Sequence, residues 1–430
     1  MKALIAVEAS RRAIYAPKIC DLTLLPGLKH TNLNLDFRLL RILRVDGFPE
    51  FQHDEDLSQY LQPALEEVYL KHWPSATSFD GLNKYCPRLQ VLDQDVSVRN
   101  DNQRCGLVEF LNTNRTLRRV RLMISPSDLH QMLAVLTALR RVITLEDLEI
   151  MGEISTVTLE QLRDSQHDES ISSRPDEHFG SVRRIKVIVR VSALPLLPTI
   201  FSAMTDLSLN LRVDSNDGHA HDLDALVGLP LESLRLHVGA GARVPSEELL
   251  CLRDTQSLKS LIINTSTFPS PMPKFKVTNY QFKQIFANLS RLETLLCMFP
   301  LDIPDPDTAL KDLGQSCPKL ETIRLYCPID IIAWMDIPEP VFPSLKFCWF
   351  SKVSDRNLLG EQNETTAQLL AEVLDRHAPN MDRFVALDRY TFHPNAGDQL
   401  SKMTMRAHGR IKETGQTRHA KEQTRNMFMQ

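Results

Sequence analysis

The sequence predicts an α/β solenoid, horseshoe in outline, with short parallel strands on its concave face and helices on its convex face. Three observations carry this reading. A six-residue phrase, apolar-x-x-apolar-x-apolar, returns along almost the whole chain, its copies keep a steady spacing, and amphipathic segments fill the intervals. The copies start as ICDLTL at Ile19, LRILRV at Leu40, LEEVYL at Leu65, LQVLDQ at Leu89, LRRVRL at Leu117, LEDLEI at Leu145 and VRRIKV at Val182. MTDLSL at Met204, LESLRL at Leu231, LKSLII at Leu258, LETLLC at Leu292, LETIRL at Leu320, LKFCWF at Leu345 and MDRFVA at Met381 complete the series. LQVLDQ and MDRFVA match least well. First residues lie 21 to 37 apart, about 28 on average, a spacing that chance six-residue matches would not keep.

Alternation within each phrase is the period-two signature of a strand with one buried face. Between phrases, Ser127 caps DLHQMLAVLTALRRV, Ser246 caps EELLCLRDT, Asp307 opens TALKDLGQS and Asn363 opens ETTAQLLAEVLDR, so each unit reads as strand then helix. One such unit cannot bury its own apolar face, and neighbours must stack. A doubly wound α/β fold also alternates strand and helix, but it rarely needs fourteen strands.

The chain divides into a helical N-terminal cap over 1–18, about fourteen irregular repeats over 19–392 with inserts near 152–181 and 352–378, and a basic tail over 393–430, disordered or weakly helical. The first insert, rich in acids and Ser, is expected to be a mobile loop, and TSTFPSPMPKFK from Thr265 an extended run. The tail carries Lys402, Arg406, Arg410, Lys412, Arg418, Lys421 and Arg425.

Composition narrows the function. Fifty Lys and Arg against 54 Asp and Glu is too balanced for a surface built throughout to hold nucleic acid or anionic membrane. No run of 18 apolar residues exists to span a bilayer, and Glu8 interrupts the only signal-like start. The expected location is cytoplasmic or nuclear, not secreted. Eight cysteines at least ten residues apart form no CxxC pair, so most should be buried free thiols. No GxSxG, HExxH, GxxxxGK[ST], kinase or EF-hand pattern occurs. GAGAR at Gly239–Arg243 reads as a turn, and His219, His221, Asp217, Asp222 and Asp224 read as a loop with a helix cap. No catalytic, metal or cofactor-binding residue is assigned, and the chain is expected not to be an enzyme.

The phrase is the core of a leucine-rich repeat, and the sequence resembles the F-box and leucine-rich-repeat proteins, especially the degenerate fungal kind. The likeness rests on YCPRLQVL at Tyr85–Leu92, SCPKLETIRL at Ser316–Leu325, FPSLKF at Phe342–Phe347 and HAPNMDRF at His377–Phe384. In each, Pro stops the preceding segment and presets an extended start to the strand. The resemblance implies a non-enzymatic, substrate-binding receptor of an F-box-type (SCF) ubiquitin ligase; the alternative is a free-standing interaction scaffold or inhibitor. Two departures stand out. Where the repeat consensus places Asn or Cys, eight residues after the first apolar position, none of the fourteen copies has either. The family's F-box has no room before Ile19, so a ligase adaptor is an expected partner only if that module lies upstream of a truncated chain.

Residues two, four and six after each first apolar position should line the concave surface. In the first nine repeats 15 of these 27 are charged, a solvated mixture that includes Arg44, Lys71, Arg119, Arg121, Arg184, Lys186 and Arg235. In the last five, eight of 15 are apolar or aromatic and none is acidic. Aromatics, Met and Arg without acids is the composition of an interface core. The predicted protein-binding residues are Ile262, Leu296, Met298, Arg324, Tyr326, Phe347, Trp349 and Arg383, with Val385 and Leu387 in the same rows and Tyr326, Trp349 and Arg324 as anchors. A C-terminal segment folded back as a cap, or a register slip, would equally hide such residues.

Overall fold

The computed structural model describes residues 8–25, 35–46, 55–71, 76–95, 101–124, 129–167, 179–212, 222–239, 245–265, 275–329, 334–335, 337–338, 340–353, 364–386 and 401–412. Two compact units divide the chain, Met1–Asp214 and Ser215–Gln430.

Among the described residues of the N-terminal unit, the helix Ala9–Tyr15 and a 3-10 turn at Ala16–Lys18 precede eight strands. These are β1 Asp21–Leu24, β2 Ile42–Val45, β3 Glu67–Leu70, β4 Val91–Gln94, β5 Arg119–Leu122, β6 Asp147–Ile154, β7 Arg184–Arg190 and β8 Asp206–Arg212. Each pairs in parallel with the next in chain order. In the C-terminal unit β9 Ser233–Val238, β10 Ser260–Thr265, β12 Thr294–Asp302, β13 Thr322–Ile329, β14 Phe347–Val353 and β15 Arg383–Ala386 do the same. The two-residue β11, Phe275–Lys276, at the end of the run expected to be extended, pairs with the far end of β12. Every phrase yields one strand that starts two residues after its first apolar position. The fold in both units is the predicted α/β repeat of the leucine-rich type.

Phrase positions one, four and six form the core. In LEEVYL, Leu65, Val68 and Leu70 are buried while Glu67 and Tyr69 are not. Within each unit every strand after the first, the short β11 apart, begins on a shared hydrogen-bond rung: the carbonyl of Cys20 accepts from both Arg41 and Ile42 N–H, at 2.8 and 3.0 Å. Arg41 accepts likewise from Glu66 and Glu67, and so on to Lys346, which accepts from Asp382 and Arg383. The missing Asn or Cys ladder has a counterpart just before the strands. Thr116, Thr144 and Ser257 donate their hydroxyls to the carbonyls of Leu89, Leu117 and Leu231, each at 2.7 Å, satisfying backbone groups where the chain turns inward.

Connecting helices pack side by side, as where the rings of Phe79 in Ala76–Tyr85 and Phe110 in Asp101–Thr113 lie 5.6 Å apart. At Gly314 a Cβ would stand 2.1 Å from the Val341 carbonyl oxygen, so only Gly permits that approach. Cys86, Cys297, Cys317, Cys327 and Cys348 are buried free thiols, Cys251 is half-buried, and Cys20 and Cys105 are exposed.

One expectation needs correction, and one pair of alternatives is narrowed. The insert near 152–181 is not a loop over its first part. Residues 152–154 extend β6 and Thr156–His167 is a helix, because Leu159 and Leu162 recur at helical spacing and bury, and the Ser155 hydroxyl accepts from Thr158 N–H at the helix start. Residues 168–178 lie outside the described residues. In the basic tail, where disorder or weak helix was expected, residues 401–412 are helical and docked by a buried face. Ser401, Thr404, Ala407 and His408 bury one face while Lys402, Arg406 and Arg410 face solvent, a small, neutral stripe that the basic character of the segment conceals. This helix packs beside Glu364–His377, with His408 3.8 Å from Asp375 and Lys412 donating to the Met381 carbonyl.

Candidate functional site

The alternating residues that leave the core form an open face on each unit's sheet, and the two faces differ in chemistry. On the N-terminal unit, opposite charges stand on neighbouring strands and pair laterally. Arg44 meets Asp21, Lys71 meets Asp46 at 2.9 Å, Arg119 and Arg184 share Asp147 at 2.9 and 3.3 Å, and Lys186 meets Glu149 at 2.6 Å. Arg121 lies 3.4 Å from both Asp93 and Glu149 and 3.8 Å from Asp95. Burial works against the Arg121 cation, but the carboxylates around it outweigh burial and hold its pKa above the ordinary value. Burial raises the pKa of Asp93 in spite of Arg121. Each such pair contributes little stability, yet together they leave few free charges for a partner.

On the C-terminal unit, strand register lines up two rows. Ser233, Ser260, Thr294, Thr322, Phe347 and Arg383 form one. Arg235, Ile262, Leu296, Arg324, Trp349 and Val385 form the other. Met298 and Tyr326 follow two residues further along β12 and β13. The rings of Tyr326 and Trp349 lie 5.6 Å apart. The Arg324 guanidinium carbon lies 4.7 Å from the centre of the Trp349 ring, and that of Arg383 lies 5.7 Å from the centre of Phe347.

The structure thus gathers Ile262, Leu296, Arg324 and Trp349 into one row, with Tyr326 against Trp349 and Arg383 against Phe347. Ile262, Leu296, Met298, Arg324, Phe347 and Val385 are half-buried, and Arg383 is exposed. Tyr326 and Trp349, expected as exposed anchors, are each only 6% exposed; their rings lie against one another, and Arg324 lies over that of Trp349. Leu387 lies outside the described residues, as do Asp217, His219, His221 and residues 240–243 of the GAGAR turn.

Arg121 and Arg324 occupy the same repeat position, four residues after the first apolar one, in opposite surroundings. No carboxylate among the described residues pairs with Arg324, its buried Nε has no acceptor there, and burial alone pulls its pKa down. Asn264, two residues beyond Ile262, likewise buries its Oδ1 without a partner among the described residues. The hydroxyl row was overlooked at the sequence level, although its signal stands in the phrases LESLRL, LKSLII, LETLLC and LETIRL, whose third residues are Ser, Ser, Thr and Thr.

Among the described residues no three of His, Cys, Asp and Glu gather as a metal cluster, and no helix is long and apolar enough to cross a membrane. No protein-family model matches the chain, and no curated protein does. Among solved structures the chain is similar to the crystal structure of the Rad7 and Elc1 complex in yeast. The similarity is at 13% identity over 93% of this chain and 90% of that one, with a TM-score of 0.38.

Proposed function

We propose that the chain is a non-enzymatic protein-recognition scaffold whose binding face is the open side of β10 and β12–β14. The observation that carries this reading is the row Ile262, Leu296, Arg324 and Trp349, an acid-free strip of apolar, aromatic and Arg side chains. Interface cores are enriched in these residue types and poor in acids, and function on such a fold resides in the site and not in the architecture. The finer reading, a substrate-binding receptor of an F-box-type ubiquitin ligase acting in the cytoplasm or nucleus, is supported by the phrases that resemble that family. A free-standing scaffold or inhibitor would use the same face.

The test is photo-cross-linking in cells, with a benzophenone amino acid placed at Leu296 and, as control, at Tyr69. A protein adduct at position 296 and none at 69 is expected. Adducts at neither, or equally at both, overturn the proposed face. Recovery of a ligase adaptor and cullin with the full chain would support the receptor; an adduct partner recovered without them would support the free-standing scaffold.

A further inference from the structure

We infer that Arg324 is the receptor for one carboxylate of the partner, and that the occupant of this face is an extended acidic peptide segment with apolar residues beside its Asp or Glu. This rests on the reading of β10 and β12–β14 as a recognition face and adds the chemistry of what it recognises.

The comparison with Arg121 carries the argument. A guanidinium at this repeat position is caged by Asp93, Asp95 and Glu149 in one unit. In the other it is flanked in register by Leu296 and Trp349. A half-buried cation that has lost part of its hydration is stabilised by a charge-assisted hydrogen bond. Nothing among the described residues supplies the anion. The indole of Trp349 offsets part of this cost through its π face, but it accepts no in-plane hydrogen bond from the guanidinium N–H groups.

Three features narrow the anion to a peptide carboxylate. Arg383, the next cation in these rows among the described side chains, stands two strands away on β15 and is engaged with Phe347, roughly 10 Å off at ordinary strand spacing. One guanidinium alone matches a singly charged carboxylate; a phosphate dianion calls for more cations. Thr294 and Thr322 lie one pleat before Leu296 and Arg324 on the same face, where their hydroxyls can serve an extended backbone. Ile262, Leu296 and Met298 offer apolar contact beside the charge.

The experiment uses the full chain and an array of ten-residue peptides with randomised apolar and Ser flanks around a central Glu, Gln, phosphoserine or Lys. Glu-centred peptides should bind, and their Gln counterparts should bind at least about tenfold more weakly, as expected for loss of a charge-assisted contact. Arg324→Met, checked for native far-UV dichroism, should erase the Glu/Gln difference, and Arg324→Lys should keep part of it. Equal binding of Glu and Gln peptides by the wild-type chain, preference for phosphoserine or Lys, or binding of no peptide overturns the inference. The wild-type comparison needs no variant to fold. Peptide binding without charge preference removes only this inference, whereas failure of the Leu296 cross-link removes the recognition face itself.

Discussion

Arg324 and Trp349 are register partners on adjacent strands, and the guanidinium carbon of the first stands 4.7 Å from the ring centre of the second. Trp349 is therefore a packing residue as well as a proposed recognition residue. Trp349→Ala removes a 6% exposed indole and should cost about 3 kcal/mol or more of stability. Trp349→Phe, which keeps the ring contact with Tyr326, should cost clearly less. Urea denaturation followed by circular dichroism measures both; a Trp349→Ala midpoint at the wild-type value would mean that the aromatic pair does not form.

Leu234 lies at the centre of LESLRL, fully buried on β9 and in register with Leu261 of β10. Leu234→Asp would place an unpaired charge in the core and should cost about 3 to 5 kcal/mol. Stability near wild type would remove LESLRL from the core strands.

Burial pushes the thiols of Cys86, Cys251, Cys297 and Cys317 up to about 12 and raises those of Cys327 and Cys348 as well. At pH 8 almost no thiolate is present at these six, and thiolate is the reactive form. A maleimide should label Cys20 and Cys105 promptly in the native protein and all eight after unfolding. Prompt native labelling at any of the six, located by peptide mass spectrometry, contradicts this packing.

The helix at 401–412 should respond to acid. Burial lowers the His408 pKa from its ordinary 6.5, Lys412 acts in the same direction and Asp375 opposes them. An imidazole that is harder to protonate when buried takes up its proton more readily once released. Its contribution to docking is therefore complete above about pH 6.5 and is lost as pH falls below that value. Amide hydrogen exchange in 401–412, corrected for the intrinsic effect of pH, should show less protection at pH 5.5 than at 7.5. His408→Gln should flatten the difference; the same pH response in that variant would assign it to another group.

The strands were legible because burial on one side of a sheet imposes alternation on six consecutive residues. Leu65, Val68 and Leu70 show it as plainly in sequence as in space. Open-face composition followed from the same alternation, which is why the neighbours Leu296 and Arg324 could be nominated together. The meeting of Tyr326 and Trp349 could not be read, because it joins two rings from different strands across a register. The hydroxyls of Thr116 and Thr144 escaped notice for a related reason: their acceptors lie 27 residues away, and no local pattern encodes a bond to the preceding repeat. At 401–412 the Lys and Arg count masked a narrow buried stripe of small and polar residues.

The rung at which one carbonyl receives two successive N–H groups has an evolutionary consequence. Within each unit, strands that start on such a rung take their alignment afresh from the repeat before them, so a connection that lengthens or shortens leaves no error to accumulate downstream. Spacings from 21 to 37 residues can then coexist with a constant strand start. Whole repeats can also be duplicated or deleted within a unit without re-matching the rest, so that connecting segments are free to diverge while the pairing grammar is inherited intact.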